Sequence, residues 1–256
     1  MSVRLLAAVG CVLVLAVPGC SGSSSASGPT YALLQMNLCL SGIAGCYART
    51  AYPAVLDEAA ARIRQSRPDA VTVNEACRGD IARIARETGY HFRFSRVIYL
   101  GKPLPCIHPT GRGLFGDAVL TKSAIPASEQ REFKRQAGVE LRRWLCVTTR
   151  ASVDVCTAHL DTRDPVELPG NDAQCAELRA LLARRAAGRT LIFGGDLNRR
   201  QSCAPAGLWT STDASARQKP GLQQVYGTAA FRAPSAEVLP ATHTDHDFLL
   251  VRAERR

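Results

Sequence analysis

One stretch constrains this chain more than any other: an apolar strand that stops at two glycines, an acid and an amide, Leu191-Ile192-Phe193-Gly194-Gly195-Asp196-Leu197-Asn198. A buried run ending abruptly at a carboxylate and a carboxamide sets both on one edge of a sheet. Glycines at such an exit leave room for close approach to the backbone, here expected to be that of a ligand. Val155-Cys156-Thr157-Ala158-His159-Leu160 and Thr244-Asp245-His246 have the same form, each a short strand delivering an imidazole or an acid to its exit. Val71-Thr72-Val73-Asn74-Glu75 and Leu33-Leu34-Gln35-Met36-Asn37 end two further strands on a carboxylate and an amide.

Acids and imidazoles at several strand ends point to hydrolysis, and above all to hydrolysis of a phosphate ester. Asp196 can hold a water, and His159 or His246 can exchange protons near neutral pH. Glu75 can hold a divalent metal. Mg²⁺ suits so sparse a site, because it keeps several waters and takes one or two carboxylates together with a substrate phosphate. Arg112, in Gly111-Arg112-Gly113, is the candidate bidentate clamp on that phosphate. The cluster His243-Thr244-Asp245-His246-Asp247 offers zinc ligands in principle, but strand spacing would scatter them to opposite faces.

In order and spacing, Asn37, Glu75, His159, Asp196 with Asn198, and Asp245 with His246 resemble the endonuclease/exonuclease/phosphatase superfamily, the DNase-I-like hydrolases. Gly195-Asp196-Leu197-Asn198 is similar to the family's Gly-Asp-Phe-Asn element and Thr244-Asp245-His246 to its terminal Ser-Asp-His. Thr157-Ala158-His159-Leu160 is similar to Thr-His-Leu, and Gly116-Asp117-Ala118-Val119-Leu120-Thr121 to Gly-Asn-Ala-Ile-Leu-Ser. The resemblance runs from about Tyr31 to Val251. It implies an α/β, DNase-I-like four-layered sandwich, two packed mixed β-sheets flanked by helices, with the active site at the sheets' common edge.

The resemblance also implies roles. Glu75, Asn37 and Asp245 are the expected metal ligands, for Mg²⁺ with Mn²⁺ or Ca²⁺ as alternatives. His159, Asp196, Asn198 and His246 are the expected catalytic residues, with Glu140 or Asp161 as candidates to orient His159. One position departs from the family pattern. The strand that normally carries an aspartate paired with the terminal histidine reads Leu222-Gln223-Gln224-Val225-Tyr226, with Gln223 in the acid's place. Three explanations stay open: a shifted alignment, substitution by another acid such as Asp213, or a branch that runs slowly or differently. The expectation adopted here is that Gln223 contacts His246.

The N-terminus reads as an export signal. Met1–Arg4 is a short basic region, and Leu5–Val17 is an apolar core too short to span a membrane as a mature helix. Val17-Pro18-Gly19-Cys20 resembles a bacterial lipoprotein box with Cys20 as the lipidated residue, and ordinary secretion is the rival reading. The expected organisation is a signal peptide over 1–19, a Ser/Gly-rich tether over 20–30 and a catalytic domain over 31–256. Ten cysteines agree with export. Setting Cys11 and Cys20 aside leaves eight, which allow 105 pairings. Closeness in the chain favours Cys39–Cys46, Cys146–Cys156 across a hairpin near Ala151 and Cys175–Cys203, leaving Cys77–Cys106. No Cys-x-x-Cys pair is present to favour zinc.

At 46% hydrophobic residues over 256 positions, the chain can bury a large core and is not a disordered one. A formal charge of +10 suits a polyanion, nucleic acid first and an anionic membrane surface second. Arg142-Arg143 and Arg199-Arg200 are the basic pairs beside candidate site elements. The expected function is thus an exported metal-dependent phosphodiesterase, most readily an endonuclease on DNA or RNA. A phospholipid (sphingomyelinase-like) phosphodiesterase or phosphatase is the alternative, and a polyanion-binding pseudoenzyme is the reading from another class. A membrane contact through the lipid anchor is expected; no protein partner is inferred, and the chain is expected to be a monomer. Strands are expected at 31–38, 70–75, 117–121, 143–149, 153–159, 190–195, 223–227 and 247–252. Helices are expected at 53–65, 80–88 and 172–187, the last capped by Asn171 and ended by Gly188.

Overall fold

A computed structural model describes residue 1 and residues 29–256. The expected signal peptide, the lipidation site Cys20 and nearly all of the tether lie outside the described residues. In chain order the first half forms β1 (Thr30–Asn37), α1 (Ala54–Ser66), β2 (Ala70–Cys77), α2 (Arg78–Thr88), β3 (His91–Arg96), β4 (Ile98–Tyr99), β5 (Lys102–Pro103), β6 (Phe115–Thr121) and β7 (Ala127–Glu132). The second half forms β8 (Glu140–Leu141), β9 (Arg143–Thr148), β10 (Val153–Ala158), α3 (Leu168–Ala186), β11 (Thr190–Asp196), β12 (Trp209–Thr212), β13 (Gln223–Gly227), β14 (Phe231–Leu239) and β15 (Phe248–Arg255). Among the described residues no helix is long and apolar enough to cross a membrane.

Two six-stranded sheets result, ordered β14-β15-β1-β2-β6-β3 and β12-β13-β11-β10-β9-β7, with β5-β4-β8 as a small third sheet. Each large sheet is built on one parallel pair joined through a helix, β1 to β2 by way of α1 and β10 to β11 by way of α3. Antiparallel strands extend both pairs outward. Strands buried on both faces must be apolar throughout, which is why Leu33-Leu34 and Leu191-Ile192-Phe193 are unbroken runs. Alternation then divides each run between two cores. Leu33 and Ile192 pack between the sheets with Leu145, Val155, Val225 and Leu249. Leu34 and Met36 face α1 and α2 on one outside, against Leu56, Ile63 and Ile81. Leu191 and Phe193 face α3 on the other, against Leu178 and Leu182, each worth roughly 2 kcal/mol for a fully buried leucine. The expected four-layered α/β sandwich is therefore present.

Gly194 and Gly195 act differently from expectation. A Cβ on Gly194 would overlap the Thr72 hydroxyl and come within 2.8 Å of Leu33 in the opposite sheet. A Cβ on Gly195 would meet the Ala158 carbonyl and, at 2.8 Å, the Phe193 ring. These glycines admit other parts of the protein, not a ligand. Helix α3 also begins earlier than expected. Asn171 is inside it and buried, its Nδ2 donating to the carbonyls of Asp161 and Leu197. All four expected disulfides are present: Cys39–Cys46, Cys77–Cys106, Cys146–Cys156 and Cys175–Cys203.

Candidate active site

The two parallel pairs point their C-terminal ends the same way, and the expected site residues leave from those ends. Asn37 closes β1, Asp196 closes β11, and His159 follows β10 directly. A bridge between His159 and Asp196 continues the β10–β11 pairing past the end of β10. Glu75 sits where the β2–β6 register shifts, with φ of 55°. A bulge of this kind turns one side chain out of the alternation, and a non-glycine residue held in the left-handed region marks a functional constraint. Glu75, His159, Asp196, Asn198 and His246 all line one cleft of about 330 Å³.

His246 is the centre of the arrangement. Its Nδ1 lies 2.8 Å from Asp245 Oδ1, and its Nε2 lies 3.1 Å from Asp196 Oδ2. Burial alone would lower its pKa; the two carboxylates outweigh burial and raise it to about 9, so the ring is an imidazolium at neutral pH. Asp196 and Asp245 are held well below the usual carboxylate range, since the imidazolium overcomes the burial that would raise them. The buried Nε2 is thus paired with the Asp196 carboxylate by charge, although the two are not aligned as a regular hydrogen bond.

Asp196 serves two purposes. Its Oδ1 accepts from the Asn198 backbone N–H at 3.0 Å, the turn that places Asn198 at φ of 50°. Its Oδ2 faces His246 and accepts from Asn37 Nδ2 at 3.0 Å. The same Asn37 nitrogen donates to Glu75 Oε1 at 2.8 Å, while Asn37 Oδ1 accepts from the Cys39 N–H. Asn37 thus ties two carboxylates together through Nδ2. Asp245, expected as a metal ligand, is instead engaged by cations of the protein. One of its oxygens holds His246, and the other accepts from Lys219 Nζ at 2.6 Å and Arg49 Nη2 at 3.1 Å.

Glu75 remains as the residue fitted to a divalent cation. Burial raises its pKa, Asn37 supplies its hydrogen bond, and no aligned cationic donor compensates the charge. A hard carboxylate oxygen on a cleft wall is the donor type Mg²⁺ takes. Cys46 Sγ lies 3.6 Å from Glu75 Oε2, but Cys39 and Cys46 are joined and provide no thiolate for a softer metal.

His159 has the opposite electrostatics. Burial, and then the Arg142 guanidinium 2.9 Å from Nδ1, hold its pKa well below the usual value. A guanidinium only donates, so Nδ1 accepts from it, while Nε2 lies 3.1 Å from Asn198 Nδ2, an amide nitrogen that also only donates. Neither Glu140 nor Asp161 orients His159 directly. Glu140 Oε1 is 2.6 Å from Arg142 Nη1, and Asp161 Oδ1 is 3.4 Å from Arg142 Nε.

Two further expectations fail. Arg112 does not line the cleft. It is buried, donating to Asp80, to the carbonyls of Leu40 and Ile107 and from Nε to Pro109 O, with its guanidinium over the Tyr52 ring. Those bonds staple a loop and leave no fork for a phosphate. Gln223 does not touch His246. Its Nε2 donates to the Asp247 carbonyl at 2.5 Å and to Asp213 at 3.3 Å, and its Oε1 accepts from Gln35. Asp245 takes the role expected of position 223.

Gln223 belongs to a polar network that crosses between the sheets beneath the site. Gln35 Nε2 also donates to Asn74 Oδ1, which accepts the Asp196 N–H at 2.8 Å. Asn74 Nδ2 donates to Asp117, whose pKa burial pushes up to about 7. Gln35, Asn74 and Asp117 carry a signal in the sequence, since each interrupts an otherwise apolar, inward-facing strand. Arg142 stands out only as one of a basic pair, and Arg49 and Lys219 carry no signal.

The Endonuclease/Exonuclease/phosphatase family pattern matches residues 43–246, which include Glu75, His159, Asp196, Asn198 and His246. The chain belongs to that family. A truncated TDP2 from Caenorhabditis elegans superposes with a TM-score of 0.64 at 15% identity, over 88% of this chain and 97% of that one. An endonuclease/exonuclease/phosphatase from Beutenbergia cavernae gives 0.66 at 20% identity, over 88% and 72%. TDP2 from D. rerio, solved with a single-strand DNA product, gives 0.61 at 13% identity, over 88% and 99%. At these identities the likeness shows a common DNase-I-like fold. No curated protein matches the chain by sequence. The superfamily is one of hydrolases acting on phosphodiester bonds, and its members generally use divalent metal ions.

Proposed function

We propose that the chain is an exported, Mg²⁺-dependent phosphodiesterase acting on nucleic acid and anchored through a lipid on Cys20. The observation that carries the chemistry is His246, an imidazolium between Asp196 and Asp245 on the wall of the cleft. In this reading its Nε2–H turns to a phosphate oxygen when substrate is bound. His246 then stabilises charge as it develops on the phosphorane, and Asp245, held by Lys219 and Arg49, fixes its orientation. Asp196, kept ionised, accepts from the attacking water, and Asn198 completes its placement. His159, held neutral by burial and the Arg142 guanidinium, is not itself the acid. Bound at Glu75, Mg²⁺ (or Mn²⁺ or Ca²⁺) supplies charge neutralisation at the phosphate oxygens.

Four disulfides fit an oxidising compartment and support export. A lipid diester is the second reading, favoured by the exposed side chains of Leu100 and Val139 beside the cleft residues Tyr99 and Glu140. The binding-only reading loses its main support, because Gln223 is not the partner of His246. The test is cleavage of plasmid and single-stranded DNA by the mature chain, disulfides intact, in Mg²⁺ and in EDTA. Cleavage in Mg²⁺ that stops in EDTA and in Glu75→Gln supports the proposal; folded protein inert toward both substrates overturns it.

A further inference from the structure

Beside the cleft, whose wall includes Lys219, stands a group of exposed cations, two of which also hold Asp245. Lys219 and Arg49 share Asp245 Oδ2. Arg217, two-thirds exposed, lies 3.6 Å from Asp247. Arg200, also exposed, donates from Nε to the carbonyl of Pro220, the residue after Lys219, and its side chain packs on Gly221. The four cations therefore form one collar on the segment 217–221 and the chain around it. The acids in contact with them, Asp245 and Asp247, are buried, and Asp245 is already paired with His246. More positive charge stands beside the cleft than these buried acids neutralise, so the collar presents a positive field beside the catalytic groups.

The reacting groups lie at the bottom of a recess. His246 and Asp196 are each 1% exposed and His159 is 6% exposed. A cleft of about 330 Å³ is in the small-ligand range. A phosphate must leave the surface of a helical rod to reach His246, which an unpaired strand does readily. The half-buried Tyr99 on the cleft wall offers an aromatic face of the kind single strands stack on.

We propose that Arg49, Arg200, Arg217 and Lys219 form a phosphate track for a single nucleic-acid strand next to the scissile bond. The inference rests on the phosphodiesterase reading and names its substrate class.

The test uses the mature chain in EDTA, so that binding is read without cleavage. A fluorescent single strand of about 20 nucleotides and the matching duplex are titrated over a range of salt. Arg200→Gln with Arg217→Gln is the variant, since neither residue belongs to the catalytic machinery. The expected results are tighter binding of the single strand than the duplex, a loss of about tenfold in the variant, and a salt slope shallower by about 1.4, roughly 0.7 for each lost contact. Hydrolysis of bis(p-nitrophenyl) phosphate in Mg²⁺ stays unchanged in the same variant. Equal binding by wild type and variant overturns the track, as does a preference for duplex. Loss of binding to phosphatidylglycerol vesicles without loss of single-strand binding assigns the collar to a membrane surface and overturns it too. If no diester is hydrolysed but single-strand binding falls in the variant, the phosphodiesterase reading fails while the track stands.

Discussion

At His246 two buried carboxylates decide a protonation state that burial alone would reverse. The ring is charged up to a pKa of about 9, and the sign of its pH effect follows. Turnover falls about tenfold per pH unit above that value as the donor proton is lost, and a pH–rate profile in Mg²⁺ reads the limb directly. Asp213 behaves in the opposite sense. Burial, and then the Asp196 charge, raise its pKa from 3.8 to about 6, so the folded state favours its neutral form. Its stabilising contribution is complete below about pH 4 and is lost as pH rises through about 6. Relative to Asp213→Asn, the wild type should lose about 3 kcal/mol of stability between those limits, measured by urea unfolding at a series of pH values. The two aspartates that hold His246 show where sequence reading succeeds and stops. Asp196 and Asp245 were legible as site acids from their strand-end motifs. Asp245 was legible as the acid behind His246 too; that Gln223 would stand apart was not, because Asp247 and Asp213 draw it away.

Among the elements, the β11 strand was read correctly in extent and wrongly in one purpose. Gly194 faces Thr72 and Leu33 of the opposite sheet, where a Cβ has no room. Gly194→Ala should cost about 1–3 kcal/mol through the overlap, with thermal unfolding as the measurement. Expected strands such as 190–195 and 153–159 declared themselves as apolar runs because they are buried on both faces. The strand β7 did not, since Ala127-Ser128-Glu129-Gln130-Arg131-Glu132 is exposed at every position on a sheet edge. The polar, charged composition that hid it is also what keeps such an edge from pairing with other chains. Strand β14 was missed for a related reason: it is an edge strand interrupted by Pro234, and its register shifts between Arg232 and Ser235. Helix α3 is one turn longer than its sequence suggests, because Asn171 looks like a cap whereas in the fold its amide secures the loop carbonyls of Asp161 and Leu197.

For the molecule as a whole, two parallel pairs each end in acids, amides or a histidine, and packing the sheets face to face merges those ends into one cleft. Closeness in the chain pointed to three of the four disulfides, and Cys77–Cys106 followed as the remaining pair. Charge was legible only as a total. Which of the dispersed arginines would gather at the cleft depends on the 217–221 segment, for which the sequence has no periodic signal. The central claim is that the His246 imidazolium, held by Asp196 and Asp245 at the base of this cleft, drives phosphodiester hydrolysis. The most direct measurement is single-turnover hydrolysis of a phosphodiester in Mg²⁺ by wild type and His246→Ala, with circular dichroism showing both folded. A loss of about 10³-fold in the rate constant is the predicted result; a folded His246→Ala that turns over at the wild-type rate contradicts the claim.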